Sequence, residues 1–508
     1  MPPFRLAAAA SGGLRGLSEV PLSSSFEGRF GRLFRRLPPA RHETAELLAL
    51  AASMVMPAEP DKPEGTPDED ENLTIPAGYT YLGQFLDHDI TFDPASSLER
   101  QNDPAALVDF RTPRFDLDSI YGRGPADQPY LYDQDGDFAG IKLALGKTVS
   151  TSVERQGPDL PRFGHRALLG DPRNDENLIV SQLHSAFLQF HNKMVDKKRA
   201  EGVQGPALFL AAQQAVRWHY QWVVLNDFLP RIIGGKLTDG RAMVKSILEP
   251  KTHYQWGKIT AGHCAPDLKF YRPKREPFIP VEFAVAAYRF GHSMVRPSYF
   301  FNDFVKGATG NKRTPIFSAD PNPLANLNGF RELPPEWGFQ WKFFFDFPTA
   351  NRKAQPGYRI DSELVNPLGA LPGFPSGDPA NPNSLAARNL LRSRALGLPA
   401  GQDVARAMGF QPLSEADLYD GKNLTPEVLL KLRGRAPLWY YILREAEKTA
   451  GGQHLGPVGG RIVAEVFIGL LYHDSGSFLR SAPRWTPDLA KSGEFGMVEL
   501  ITFAGVSV

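Results

Sequence analysis

Residues 81–93 read YLGQFLDHDITFD, an apolar segment that contains three aspartates, a glutamine and a histidine. Successive residues of a helix are separated by 100°, so Gln84 and His88 would share one face. Polar side chains inside an otherwise apolar helix cost free energy unless each one finds a partner. The segment is therefore either a solvent-exposed helix face or part of a functional site. The segment alone does not distinguish these two hypotheses, so other parts of the sequence are needed.

The composition is that of a globular protein with a large core. Of 508 residues, 42% are hydrophobic and 22% are charged. The 57 basic and 56 acidic residues give a net charge of +1, which does not favour a nucleic acid or an anionic membrane as partner. The single cysteine, Cys264, excludes an internal disulfide and any cysteine-rich zinc or iron–sulfur site. We therefore expect a small ligand.

The N-terminal part of the chain lacks clear periodicity. Residues 57–72 hold seven acids and one lysine among prolines, a composition typical of a solvated linker. We predict an N-terminal arm with this linker over 1–74 and one large domain over 75–508. No apolar run reaches the roughly 18 residues of a membrane span, and the first residues do not form a clear secretory signal. We expect a soluble protein, and both a cytoplasmic and a secreted location stay open.

Helical periodicity dominates from residue 75 onward. Apolar residues spaced by three and four, such as Leu183, Phe187 and Phe190, predict an amphipathic helix over 178–194. The same pattern predicts helices over 206–228, 280–296, 384–396, 425–433 and 458–471. Alternating strand patterns are scarce, and long loops rich in Pro, Gly and Asn separate the helices. We predict a mainly α-helical, loop-rich protein.

Two further segments carry polar groups that packing does not explain. The acids of DPRNDE, residues 171–176, suit the start of a helix, but this leaves Arg173 unexplained. His292 lies on an apolar segment, where a lone histidine is more often a core residue than a ligand. A later helix has Asn389 and Arg392 on one face, and an asparagine oxygen can accept the hydrogen bond that orients an iron-bound imidazole.

The segment RTPRFDLDSIYG, residues 111–122, has the alternation of a metal-binding loop. Four residues two positions apart can direct side-chain or carbonyl oxygens to one side of an extended loop, as a calcium ion requires. They are Thr112, Arg114, Asp116 and Asp118. Aspartates in a turn are also common without a metal, so the segment alone is weak support.

In this order, the segments resemble the animal haem peroxidases, the superfamily that includes myeloperoxidase, lactoperoxidase and the cyclooxygenases, from about residue 75 to the C-terminus. The family motif Gln-x-x-Asp-His-Asp matches Gln84, Asp87, His88 and Asp89, and Arg-x-x-Glu matches Arg173 and Glu176. Arg-x-Gly-His matches Arg289, Gly291 and His292, and Asn-x-x-Arg matches Asn389 and Arg392. Each motif is short, but their combined order is specific.

The resemblance implies an all-helical, loop-rich single domain with haem b between a distal and a proximal helix. It implies that His88 moves the protons of peroxide, assisted by Arg173 and Gln84. The residues implied to bind the cofactor are His292 as the iron ligand, Asn389, Asp87, Glu176, Arg289 and Arg392. A calcium ion is implied at Asp89, Thr112, Arg114, Asp116 and Asp118.

The resemblance also bears on the attachment of the haem. Asp87 and Glu176 match the two carboxylates that esterify haem methyl groups in the mammalian members, so a covalent link after exposure to peroxide is implied. Asn177 stands where myeloperoxidase has the methionine of a third link, which excludes that link here.

The implied activity is that of a monomeric peroxidase, with a role in the response to oxidative stress, which reduces hydrogen peroxide and oxidises a halide, pseudohalide or small organic donor. A fatty-acid dioxygenase of the cyclooxygenase type is an alternative, but it needs a radical tyrosine three residues before the proximal histidine. Arg289 occupies that position, and Tyr288 is one residue away. A non-catalytic adhesion or binding module is the other alternative, but it would not need His88, Arg173 and His292 together.

Overall fold

The computed structural model describes residues 28–58, 68–92, 108–149, 157–248, 254–255, 258–259, 266–274, 276–305, 313–372, 374, 377–379, 381–491 and 493–508. Cys264, residues 1–27 of the predicted arm and residues 59–67 of the predicted linker lie outside the described residues.

The described residues are mainly helical, which confirms the predicted fold class. The α-helices are α1 Thr44–Ala52, α2 Gly78–Ile90, α3 Asp118–Tyr121, α4 Leu178–Ala200, α5 Pro206–Val223, α6 Leu229–Gly234, α7 Leu237–Leu248, α8 Val281–Ala284, α9 Asn366–Gly369, α10 Leu385–Ala395, α11 Gly401–Ala407, α12 Glu415–Tyr419, α13 Pro426–Leu432, α14 Leu438–Ala450, α15 Pro457–His473, α16 Phe478–Ser481 and α17 Met497–Ala504. The strands are β1 Gly28–Gly31, β2 Glu71–Pro76, β3 Val108–Asp109, β4 Arg162–Phe163, β5 Arg166–Ala167, β6 Tyr254–Gln255, β7 Lys258–Ile259, β8 Ile279–Pro280, β9 Ser298–Tyr299, β10 Thr314–Pro315 and β11 Pro356–Tyr358.

Most of the predicted helices are confirmed. The segments predicted from periodicity correspond to α4, α5 with its π-helical extension Val224–Phe228, α10, α13 and α15. Three of these helices begin at a residue whose side chain accepts a free backbone N–H of the first turn, which is the usual N-cap interaction. The capping residues are Asn177 for α4, Ser384 for α10 and Thr425 for α13.

The helix α4 is at the centre of the core, where α2, α5 and α17 pack against it. Phe85 of α2 stacks on Phe187 of α4 with ring centroids 4.6 Å apart, and Tyr220 of α5 contacts both rings edge-on. Such aromatic pairs contribute about 0.5–1.5 kcal/mol each beyond the burial of their surface. This packing fixes α2, the helix that carries Gln84 and His88, against α4.

The prediction of one continuous helix over 280–296 is wrong. The helix α8 ends at Ala284, and a 3₁₀ segment, Ala287–His292, follows it. The side chain of Arg289 donates from Nε to the carbonyl oxygen of Ala284 at 2.8 Å. A continuing α-helix would use that oxygen for the N–H of Tyr288, so the side chain competes with the helix for its own acceptor.

The described part of the first 74 residues packs on the body of the protein. The strand β1 pairs antiparallel with β3 and parallel with β8, and β2 pairs with β11. The helix α1 buries Leu47 and Leu50 in the core. The domain boundary after residue 74 stays a prediction, although residues 28–58 do not extend away from the core. Among the described residues, no helix is long and apolar enough to cross a membrane.

Candidate active site

A cavity of about 600 Å³ lies beside α2. Polar side chains reach it from the last turns of α2, from the 3₁₀ turn Pro172–Asp175 and the two residues after it, and from the segment Ala287–His292. They are Gln84, Asp87, His88, Arg173, Glu176, Asn177, Arg289 and His292. Much of the remaining wall is apolar, and this volume and lining are typical of a ligand or cofactor site. The fold thus brings together most of the site residues that the sequence indicated.

His88 is buried at the cavity wall, where an asparagine fixes its ring. Its Nδ1 lies 2.8 Å from Oδ1 of Asn174, whose Nδ2 lies 3.0 Å from Nδ1 of His184. Burial, reinforced by the positive charge of Arg173, lowers the pKa of His88, so the ring is neutral at pH 7. When Nδ1 donates its proton to Asn174, Nε2 carries the lone pair. Nε2 lies 3.7 Å from Oε1 of Glu176.

Asn174 is a functional residue that the sequence analysis missed. It is fully buried and contacts two imidazole rings. In the sequence it is one polar residue in a turn, and no periodicity distinguishes it from a solvated asparagine. Its position directly after Arg173 was the only available signal.

Arg173 is held rigidly by several acceptors. Its Nη2 donates to Asp171 at 2.7 Å and to the backbone oxygens of His88 and Thr91 at 3.1 and 2.5 Å. The guanidinium also lies over the ring of Phe92, 4.6 Å from its centroid. Burial alone would raise the pKa of Asp171, but the charge and hydrogen bonds of Arg173 hold it well below its usual range. Asp171 therefore stays ionised and offsets part of the charge of Arg173.

Gln84 is hydrogen-bonded at both ends of its amide. Its Nε2 donates to Oε1 of Glu176, and its Oε1 accepts from Nδ2 of Asn177 at 3.1 Å. The side chain of Glu176 keeps 36% of its surface exposed. A carboxylate thus stands between the two side chains, Gln84 and His88, that we predicted to act on peroxide.

The predicted pair of His292 and Asn389 is also brought together. Nδ2 of Asn389 lies 2.7 Å from Nδ1 of His292, so the amide presents its nitrogen where we predicted its oxygen. Ligation of a metal by Nε2 places the proton on Nδ1 and therefore requires this amide rotated by 180°, which exchanges its oxygen and nitrogen. Burial and the charge of Arg289 lower the pKa of His292 to about 3, which keeps the ring neutral. Arg392, on the same face of α10, does not line the cavity.

The lining fits a haem group. A Cβ built on Gly291 would meet no atom within 4 Å, so a flat group can approach the backbone beside His292. A neutral imidazole is the form that binds iron. The apolar side chains of Phe290, Met294 and Leu385 line the same cavity, as a largely apolar macrocycle requires.

Asp87 and Arg289, which were both predicted to bind the cofactor, contact each other. Nη1 of Arg289 lies 3.7 Å from Oδ2 of Asp87, and Oγ1 of Thr91 donates to Oδ1 of Asp87 at 3.0 Å. The carboxylate of Asp87 therefore has two partners from the protein itself.

Tyr288 lines the cavity as well. Its hydroxyl donates to the backbone oxygen of Gly83 at 3.2 Å, and its ring stacks on Phe283. Burial, with the charge of Asp87, raises the pKa of Tyr288 well above its usual value. On the α-helix that we predicted, Tyr288 would be turned by 100° from the position of Arg289, but in the structure both side chains line the cavity.

Asp89, Asp116 and Asp118 form a group that we call the acidic cluster, with carboxylate oxygens within 4.8 Å of one another. Burial, together with the charge of Asp116, raises the pKa of Asp89 to about 7. Oδ1 of Asp118 is buried without a hydrogen-bond partner. The only cationic group near these carboxylates that the described contacts show is Arg111, with Nη1 3.7 Å from Oδ2 of Asp118. Donors that are all oxygen suit calcium.

The other two predicted calcium ligands differ in their placement. Oγ1 of Thr112 lies 2.9 Å from Oδ2 of Asp116 and therefore adjoins the acidic cluster. The side chain of Arg114 is directed to Asp474, with Nε 3.7 Å from Oδ1. Only the backbone oxygen of Arg114 is suited to bind a cation.

Comparisons with known proteins identify relatives in sequence and in fold. A family model described as animal haem peroxidase matches residues 98–434. The human protein named probable oxidoreductase PXDNL is 23% identical over 369 residues, which cover 71% of this chain and 21% of that protein. The chain spans only 20–27% of the length of the first three curated relatives that it matches.

Two solved structures are similar over nearly the whole chain. Peroxidase A from Dictyostelium discoideum superimposes with a TM-score of 0.61 at 15% identity, covering 96% of this chain and 95% of that one. The fatty acid alpha-dioxygenase of Oryza sativa superimposes with a TM-score of 0.57 at 16% identity, covering 94% of this chain and 79% of that one. At these identities the similarity establishes the fold alone.

Proposed function

This chain belongs to the animal haem peroxidase family, and we propose that it is a haem-dependent peroxidase that reduces hydrogen peroxide and oxidises a halide, pseudohalide or small organic donor. One observation carries the proposal. His88 and His292 line the same cavity, burial keeps each ring neutral, and each has an asparagine at Nδ1. A binding module would not require two imidazoles prepared in this way.

Haem, held by His292 with Asn389, would supply the redox chemistry. The proton transfers fall to the protein. Nε2 of His88 takes the proton from one oxygen of hydrogen peroxide and returns it to the oxygen that leaves as water. Asn174 supports this role because its Oδ1 faces Nδ1 of His88, the orientation in which the amide would accept the proton of Nδ1 and leave Nε2 basic.

Arg173 and Gln84 would stabilise the charge that develops while the O–O bond breaks. The guanidinium of Arg173 is fixed before the reaction, so it costs no reorganisation when negative charge appears. Gln84 carries an amide N–H₂ group, one hydrogen of which is used by Glu176. Its other hydrogen can be donated to a ligand in the cavity.

We propose one calcium ion at the acidic cluster, with Thr112 and the backbone of Arg114 completing the ligands. The unpartnered Oδ1 of Asp118 and the raised pKa of Asp89 support the site. Because Asp89 follows His88 on α2, the ion would hold the catalytic histidine in place without contacting substrate.

Covalent attachment of the haem through Asp87 and Glu176 is a further part of the proposal. Both carboxylates line the cavity, as esterification requires. The pairing of Asp87 with Arg289, and of Glu176 with Gln84, would have to open for each bond to form.

A fatty-acid dioxygenase is the second candidate. The presence of Tyr288 in the cavity lining favours it, because such a reaction needs a tyrosine that can hold a radical beside the haem. The hydrogen bond from Tyr288 to Gly83 and the arginine at the next position favour the peroxidase instead.

Absorption spectroscopy of the haem-loaded protein tests the proposal. We expect a Soret band that changes on addition of peroxide and returns when guaiacol, bromide or thiocyanate is oxidised. A Soret band that peroxide leaves unchanged would contradict the peroxidase function and favour a binding module.

A further inference from the structure

A one-way series of hydrogen bonds runs from the N-terminus of α4 into the cavity. It begins at the backbone N–H of Val180, which donates to Oδ1 of Asn177 at 2.9 Å. A backbone N–H can only donate, so the oxygen of the Asn177 amide must face it. The amide nitrogen, Nδ2, then occupies the other position and can only donate.

The next bond is determined by the first. Nδ2 of Asn177 lies 3.1 Å from the amide of Gln84, so the atom of Gln84 that faces it must be the acceptor, Oε1. This leaves Nε2 of Gln84 as the donor to the carboxylate of Glu176, which can only accept while it is ionised. The carboxylate of Glu176 therefore favours the same orientation of Gln84 as Asn177 does, and neither bond depends on a ligand in the cavity.

We propose that Asn177 is a positioning residue that, together with the carboxylate of Glu176, holds the amide of Gln84 so that it presents N–H, and not C=O, to the ligand. This inference rests on the proposed function, in which Gln84 contacts peroxide or the donor. Asn177 is 2% exposed, so water does not compete for its hydrogen bonds. The cavity therefore favours ligands that accept a hydrogen bond at this point, such as anions and the oxygens of peroxide.

The residue type is informative because Asn177 makes two separate interactions: its oxygen caps α4, and its nitrogen donates to Gln84. Serine and aspartate are as good as asparagine at the N-cap of a helix, since all three accept a hydrogen bond there. Neither of them can donate to Oε1 of Gln84 from this position, because serine is too short and ionised aspartate has no proton. Asn177→Ser and Asn177→Asp thus keep the cap and remove only the second interaction.

Fluoride binding to the ferric, haem-loaded protein measures the proposed effect directly, because a bound fluoride accepts a hydrogen bond from the cavity. Asn177→Ser should weaken fluoride binding about 3- to 10-fold, the factor that one net hydrogen bond contributes. Asn177→Asp should weaken it further, because the new carboxylate accepts from Nε2 of Gln84 and turns the amide oxygen away from itself. Both variants lose the buried hydrogen bond to Gln84, and Asn177→Asp also places a charge beside Glu176, so the thermal midpoint should fall modestly in Asn177→Ser and further in Asn177→Asp.

A double-mutant cycle with Gln84→Met separates positioning from a general effect of charge or packing. If Asn177 acts through Gln84, then Asn177→Ser changes fluoride affinity little once the amide of Gln84 is absent. Wild-type fluoride affinity in Asn177→Ser, or an equal loss in the Gln84→Met background, would overturn the inference. A wild-type protein that binds haem and fluoride but does not react with peroxide would instead overturn the proposed function and leave the role of Asn177 standing.

Discussion

Asn174→Ala is expected to slow the reaction with peroxide while leaving haem bound. Asn174 lies 2.8 Å from Nδ1 of His88, and both residues are buried. Without Asn174, a proton on Nδ1 has no acceptor, and a buried donor left without a partner costs about 1–3 kcal/mol. His88 then favours the tautomer with its proton on Nε2, which cannot accept the proton of peroxide.

The magnitude follows from the population of the reactive tautomer. A factor of ten in population corresponds to about 1.4 kcal/mol, so the penalty lowers the population of the basic Nε2 form about 5- to 150-fold. The second-order rate constant for peroxide, measured by stopped-flow absorption, should fall by the same factor. The KM for the electron donor should not change, because Asn174 does not line the cavity.

Two variants control for a loss of packing. Asn174→Asp keeps an acceptor oxygen at Nδ1 and should retain a rate much closer to that of the wild type. Asn302 is also a buried asparagine, but its amide bonds backbone groups instead of imidazole rings. Asn302→Ala should lower the midpoint of thermal unfolding without changing the rate constant of the reaction with peroxide. A rate within about twofold of the wild type in Asn174→Ala, below the range that a lost hydrogen bond predicts, would refute the reasoning.

Four further outcomes are expected. His292→Ala should lose its bound haem, whereas His88→Ala should keep the Soret band and react with peroxide at least ~100-fold more slowly; an unchanged Soret band in His292→Ala would exclude it as the iron ligand. The extensively dialysed protein should retain about one equivalent of calcium by metal analysis, and full activity with less than half an equivalent would argue against the acidic cluster as its site. After peroxide treatment, acidified organic solvent should not extract the haem, and Asp87→Val combined with Glu176→Gln should restore extraction; free haem from the treated wild type would rule out the ester links. Incubation with linoleate, oxygen and trace peroxide should give no fatty-acid hydroperoxide, and a hydroperoxide product that Tyr288→Phe abolishes would move the chain to the dioxygenase class.

The fold class and several helices could be predicted because they depend on neighbouring residues. Apolar side chains spaced by three and four define α4, and the asparagine before it caps the first turn. The prediction over 280–296 failed because apolar periodicity does not show where a helix ends. Arg289 reaches back to the carbonyl of Ala284, and periodicity contains no information about where a flexible arginine will donate.

The same distinction between local sequence and tertiary structure applies to the candidate site. The sequence by itself determined which chemical groups are present and in what order, and these motifs indicated haem, peroxide and calcium. Only the tertiary structure decided which atom of each group faces which partner. His88 and Asn174 are 86 residues apart, and Gln84 and Asn177 are 93 apart, so their contacts exist only because the packing of α2 on the start of α4 brings them together. At Gln84 the direction of the hydrogen bonds follows from the backbone N–H of Val180 and the carboxylate of Glu176, which cannot exchange roles, and that direction makes the amide a donor.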